Sequence, residues 1–223
     1  MAATVHESVA YVFRFFQLLC ENHNHECQLV LRKQGLVQLT MDFIDVLCPG
    51  VNSGLSLGNL FDSETKVALI NQTLISLTEY CQGPCPENQM TLATYDSHAI
   101  DICMALLLHD MSKVKIPQME AVLDIKGNTT KFLLSLLESR YSIEVVDRIV
   151  YNVDNPTQVT KALKQLHSLA KTKSKIPREV IARAQEVGHD SYILSYQIGV
   201  YKPVFGKHMK EDEELNDYRD HTA

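Results

Sequence analysis

The sequence predicts an all-α protein, an armadillo-like or HEAT-like stack of about nine or ten helices. Three observations carry this. Apolar residues recur at spacings of three and four almost from end to end, the mark of helices with one buried face. No segment alternates with the period of two that a half-buried strand requires. Gly and Pro fall between the periodic runs at short intervals, as in helices joined by tight connections. No sequence repeat of fixed period is present, so any repetition is structural.

The first helix carries an apolar stripe of Val9, Val12, Phe13, Phe16, Leu19 and Cys20. A shorter one covers residues 26–33 and ends at Gly35; a third runs from about Leu36 to Leu47 and stops at Pro49 and Gly50. Residues 51–61, with Gly54 and Gly58, read as a loop. Asp62 or Ser63 caps the next helix, whose stripe is Val67, Ile70, Leu74, Leu77 and Cys81. Gly83, Pro84 and Pro86 break that helix. Residues 100–108 and 132–137 are apolar nearly all round and belong to the most buried helices. Pro117, Pro156 and Pro177 sit at first helical positions, with Asn155 capping the second of these. Val159, Leu163, Leu166 and Ala170 mark a further amphipathic helix. Residues 180–187 and 192–200 mark the last two, parted by Gly188. The run Lys210, Glu211, Asp212, Glu213, Glu214 reads as a solvated linker.

At 223 residues the chain can bury a substantial core, and an apolar share of 45% is ordinary for a globular protein. A net charge of −6 gives no basic footprint for nucleic acid. The longest apolar run, residues 102–108, is far short of the ~20 needed to span a bilayer, so no direct membrane insertion is expected, and no signal peptide is evident. Six cysteines lie mostly in apolar helical stretches and read as reduced thiols of a cytosolic protein.

Four groups of residues could carry chemistry. Cys20, His23, His25 and Cys27 are zinc-ligand types, but on one helix the two imidazoles point in different directions, so packed thiols and surface imidazoles are expected. Cys81 and Cys85 fit neither a redox pair nor a zinc knuckle, and read as a core thiol and a loop thiol. His98, His109, Asp110 and Asp124 resemble the His and Asp ligands of metal-dependent phosphohydrolases; helix-end capping by His109 and Asp110 is the plainer reading. Glu21 and Glu79 lie on separate helices, and two carboxylates form at best part of a calcium site. Glu79 and Gln82, three residues apart, project from one side of a last helical turn.

The run Gln17, Leu18, Leu19, Cys20, Glu21, Asn22, His23, Asn24 resembles the inositol trisphosphate receptor family. So does the stretch 70–85, which closes on Glu79, Tyr80, Cys81, Gln82, Gly83, Pro84, Cys85. The likeness is to the RIH-associated domain, shared with the ryanodine receptor. Residues 133–140 and 187–194 fit the same family, and residues 218–223 are similar to the segment that follows the domain toward the membrane. The resemblance implies a non-enzymatic cytosolic module of a tetrameric calcium-release channel of the endoplasmic reticulum. Such a module passes conformational change from the ligand-binding end to the pore. It further implies that the activating calcium is held in part by Glu21 and Glu79, with His23 and Gln82 as neighbouring polar residues. A further carbonyl ligand would come from the C-terminal part of the channel, beyond the pore. Residues 1–205 would form the helical domain and residues 206–223 an acidic linker toward the juxtamembrane region. The inositol trisphosphate-binding region and membrane spans of the family are missing from this sequence, so it reads as a fragment unable to conduct ions. The connection between Leu31 and Leu39 is shorter than the family's, which leaves the packing of the second and third helices open. The rival readings are a stand-alone helical adaptor and the His-Asp phosphohydrolase.

Overall fold

The computed structural model describes residues 2–49, 60–139, 142–153, 155–172 and 176–220. Among these residues there are twelve α-helices and no strand, so the expected class holds and the helix count is slightly higher than expected. In order they are α1 (Ala2–Cys20), α2 (His25–Lys33), α3 (Leu36–Leu47), α4 (Glu64–Cys81), α5 (Pro86–Thr94) and α6 (Ala99–Leu108). Then follow α7 (Met119–Leu137), α8 (Ile143–Val150), α9 (Thr157–Ala170), α10 (Arg178–Tyr201), α11 (Pro203–Glu211) and α12 (Asn216–Asp220).

Local chemistry starts and stops these helices. Ser63 caps α4 by accepting from the Lys66 N–H at 3.3 Å, and Asn155 accepts from the Thr157 N–H at 2.9 Å just before α9. Asn24 accepts from the Cys27 N–H at 3.3 Å and so opens α2. Between α2 and α3 the chain turns through Gln34 and Gly35 alone. Gly35 adopts φ of 72°, a conformation glycine enters without steric cost, and the two helices pack on each other despite the short connection.

The long helices form one row. α1 packs on α4, α4 on α7, and α7 on α10. A second row runs α3, α6, α9, and each of its members lies against the long helix that follows it: α3 on α4, α6 on α7, α9 on α10. This two-row arrangement is the helical stack the periodicity predicts. Neighbours in the first row run the same way. Asn71 meets Asn128 at 2.9 Å and Gly83 meets Glu138 at 3.2 Å, so α4 and α7 are parallel. Asp124 with Arg183 at 2.9 Å and Thr130 with Ser191 at 3.2 Å orient α7 and α10 alike. Ser76 donates to the Phe13 carbonyl at 3.1 Å, and His23 packs over Gly83, which aligns α1 with α4. The C-terminal ends of α1, α4 and α7 therefore share one edge of the stack.

Three details differ from the periodicity. In α1, Val12 and Leu19 are 50% and 36% exposed, whereas Gln17 is buried and accepts from Gln72 Nε2 at 2.9 Å. A stripe scored on apolarity alone misses a buried amide that has a partner. Gly188 does not end a helix: α10 runs through it, because a Cβ there would lie 2.1 Å from the Tyr218 hydroxyl. Third, the acidic run after residue 205 is not a solvated linker over its described part. It carries α11 and α12, and Met209, Leu215 and Tyr218 are buried against Val159, Leu163 and Tyr192. The loop expected at 51–61 lies outside the described residues up to 59, and Leu60 and Phe61 are buried. Among the described residues the core also holds one lysine. Lys126 donates to the carbonyls of Leu106, Leu107 and His109 at 2.5 to 3.2 Å, closing the C-terminus of α6, and burial pulls its amine down to about 7.

Candidate functional site

α1 stops at Cys20 because Asn22 and His23 both enter the left-handed region, with φ of 58° and 59°. Glu21 thus stands on the turn between α1 and α2, half-buried, in an ion pair with Arg14 at 3.4 Å. Glu79 stands in the last turn of α4, also half-buried. Desolvation pushes its carboxyl above the ordinary value, and the facing Glu21 adds to the rise; His23 and Arg14 oppose it. Glu21 and Glu79, far apart in sequence, thus stand close enough for their charges to interact. Their surroundings are negative in another way, since the C-termini of parallel helices carry partial negative charge. A cation placed there would relieve both contributions. The ligand atoms of Glu21, Glu79 and His23 are not all within 4.8 Å of one another.

Gln82 is the C-terminal residue that caps α4, half-buried, and its carbonyl is held by Gln28 Nε2 at 2.8 Å. The same amide nitrogen donates to the Glu79 carbonyl at 2.7 Å. Gln28 is buried in α2, and its own carbonyl accepts from Asn88 Nδ2 at 3.1 Å. Asn88 also holds the Tyr80 carbonyl at 2.8 Å. Next to it, Gln89 Nε2 donates to the carbonyls of Ser135 and Glu138 at 2.8 and 3.0 Å, closing the end of α7. These buried amides satisfy helix-end carbonyls that would otherwise be orphaned. Sequence reasoning missed Gln28, Asn88 and Gln89. The available signal was an amide on the buried face of an amphipathic helix, which needs a partner.

Gly83 completes the turn. Its φ is 110°, and an added Cβ would lie 2.4 Å from the His23 Cβ, so the position takes no side chain. Its N–H donates to Glu138 Oε2 at 3.2 Å, placing a third carboxylate near this edge.

The other sets do not assemble as their residue types allow. Cys20 is wholly buried, with its thiol pushed up to about 12 by desolvation, and Cys27 is a half-buried thiol of α2. His23 sits over Gly83, and His25 lies instead beside Cys85 and Glu87. Cys85, expected in a loop, is fully buried at the start of α5. His98 opens α6 and His109 ends it, about 16 Å apart along the helix axis. The His109 ring packs on Phe61. Asp110 caps the turn at residues 111–113 by accepting from the Ser112 N–H at 2.9 Å, and also accepts from Lys161 and Gln165 at 3.1 and 2.6 Å; hydrogen bonding from Ser112 above all, then Lys161 and Gln165, holds its carboxyl below the ordinary range. Asp124 pairs with Arg183 at 2.9 Å. The four residues do not form one centre.

A family profile described as RyR and IP3R Homology associated matches residues 4–107. The matched span contains Glu21, His23, Glu79 and Gln82. The inositol 1,4,5-trisphosphate receptor itr-1 of Caenorhabditis elegans is 35% identical over 190 residues, covering 78% of this chain. The chain spans only 6% of that relative's length. Through residues 4–107, the chain belongs to the RyR and IP3R Homology associated family.

Proposed function

We propose that this chain is a non-enzymatic regulatory module of an inositol trisphosphate-gated calcium-release channel and contributes part of an activating calcium site. The observation that carries the reading is that Glu21 and Glu79 stand where α1 and α4 end, close enough for their charges to interact, with the Glu79 carboxyl raised by burial and by its neighbour. Calcium prefers six to eight oxygen ligands, so a second element outside this chain completes the shell. In the proposed mechanism, calcium stabilises the arrangement in which that element is docked on the edge. The equilibrium between docked and undocked states then shifts by the difference in calcium affinity between them. Arg14 acts as the counter-ion of Glu21 when calcium is absent.

The remaining parts of the reading follow from the family resemblance. The docked element belongs to the C-terminal part of the channel, the assembly is a tetramer, and the module lies on the cytosolic face of the endoplasmic reticulum. One feature supports a place within a larger subunit. Tyr11, Phe15 and Leu18 expose one apolar face of α1, a surface suited to contact with the rest of a subunit of which this chain spans a small share.

Titration calorimetry tests the site. The chain should bind calcium weakly, with Kd about millimolar or poorer by comparison with low-charge sites, and Glu79→Gln should abolish the signal. Micromolar binding that survives Glu79→Gln would sink the incomplete-site reading. A helical adaptor with no calcium role is the outcome if neither protein binds.

A further inference from the structure

Near the calcium candidate, but built from other residues, three metal-ligand side chains of different chemistry converge. His25 is the first residue of α2, Cys85 is the N-cap residue of α5, and Glu87 lies in the first turn of α5. One ligand atom from each lies within 4.8 Å of the others. No other group of three or more such residues meets that distance among the described residues. Cys85 is fully buried, whereas His25 and Glu87 are exposed. We propose that His25, Cys85 and Glu87 form a site for zinc or a similar first-row divalent ion, completed by water and bridging α2 to α5.

The donor set selects the metal. A thiolate with an imidazole and a carboxylate suits zinc, while calcium and magnesium favour oxygen alone. In a tetrahedral zinc centre, ligand atoms sit about 3.5 Å apart, as bond lengths of roughly 2.0 to 2.3 Å require. The Cys85 Sγ to Glu87 Oε2 separation is 3.9 Å, so the side chains need only a small closure. The buried member is the one that cannot move, and its backbone is held in place. Asn88, one residue beyond Glu87, anchors to the Gln28 and Tyr80 carbonyls, which ties the start of α5 to α2 and α4. Burial pushes the Cys85 thiol up, and the backbone N–H groups of Asn88 and Glu87 and the Arg32 guanidinium pull against it. Binding replaces the thiol proton with the metal and releases that proton to solvent, so affinity rises with pH. The inference does not depend on calcium binding at Glu21 and Glu79.

Cobalt is the spectroscopic probe. One equivalent of Co(II) added to the full chain should give a thiolate-to-cobalt charge-transfer band and visible bands of tetrahedral intensity, both displaced by zinc. Cys85→Ser should remove the charge-transfer band, while Cys27→Ser and Glu79→Gln leave it unchanged. No band at equimolar cobalt, or a band that survives Cys85→Ser, overturns the assignment. Because Cys85 is buried, its replacement could unfold the turn. His25→Ala and Glu87→Gln change exposed side chains and serve as the second arm, read by zinc competition with a chromophoric chelator. Each should weaken zinc by about tenfold or more; equal affinity in both variants and the parent chain overturns the site.

Discussion

Gln28 lies 51 residues before Glu79 and holds its carbonyl, so one buried amide positions the turn that carries the candidate calcium ligands. Replacing Gln28 with Ala leaves the Glu79 and Gln82 carbonyls without their donor. A loss of about 2 kcal/mol in urea unfolding is expected, and a loss well under half of that would show that water substitutes for the amide. Glu79 itself makes stability depend on pH. Its folded pKa is raised, so the folded chain binds a proton more readily than the unfolded chain. The stability it contributes is full below the unfolded value near 4.5 and is lost as pH rises through the raised folded value. Glu79→Gln should remove this slope and leave the metal-free protein no less stable at neutral pH, as measured by melting across a pH series. By the same shift, protons would compete with a cation at Glu79 at higher pH than at an ordinary carboxylate. The Glu79 and Gln82 pair was legible in the sequence, since a spacing of three puts both on one side of a helical turn. The approach of Glu21 was not, because it depends on how α1 and α4 align.

Helix boundaries were the more readable elements. The α3 span, the Ser63 cap and the α4 stripe follow from propensity and capping alone, which act over a few residues. Gly188 shows where local rules fail. Glycine inside a helix ordinarily costs about 1 kcal/mol relative to alanine, so reading it as a boundary was reasonable on local grounds. Here α10 tolerates it because Tyr218 occupies the space of the missing side chain, with its hydroxyl 2.1 Å from where a Cβ would stand. Gly188→Ala should therefore destabilise the fold by about 1 to 3 kcal/mol through overpacking, the opposite sign to the propensity effect. Tyr218→Leu in the same chain should recover part of the loss. A stabilised Gly188→Ala variant would mean that Tyr218 moves aside at no cost.

Across the whole molecule the segment after residue 202 contributes to the core rather than trailing from it. Met209, Leu215 and Tyr218 close a second apolar cluster over α9 and α10. Deleting residues 203–223 exposes Val159, Leu163 and Tyr192 and should cost on the order of 5 kcal/mol, from about 1.5 to 3 kcal/mol per buried side chain. Hydrogen exchange should then show lost protection in α9 and the second half of α10, with α4 and α7 still protected; uniform protection would make the segment dispensable. The charge run at 210–214 masks this role, because composition averages over the single apolar residues that face inward. Helix class, most helix boundaries and the resemblance to the RIH-associated domain were all present in the linear pattern, since each rests on runs of neighbouring residues. Three features were decided only when the helices packed: the shared edge of α1, α4 and α7, the buried amides Gln28, Asn88 and Gln89, and the meeting of His25 with Cys85 and Glu87. Each joins residues from separate helices, and the relative placement of helices is set by the core they bury together, which no local periodicity encodes.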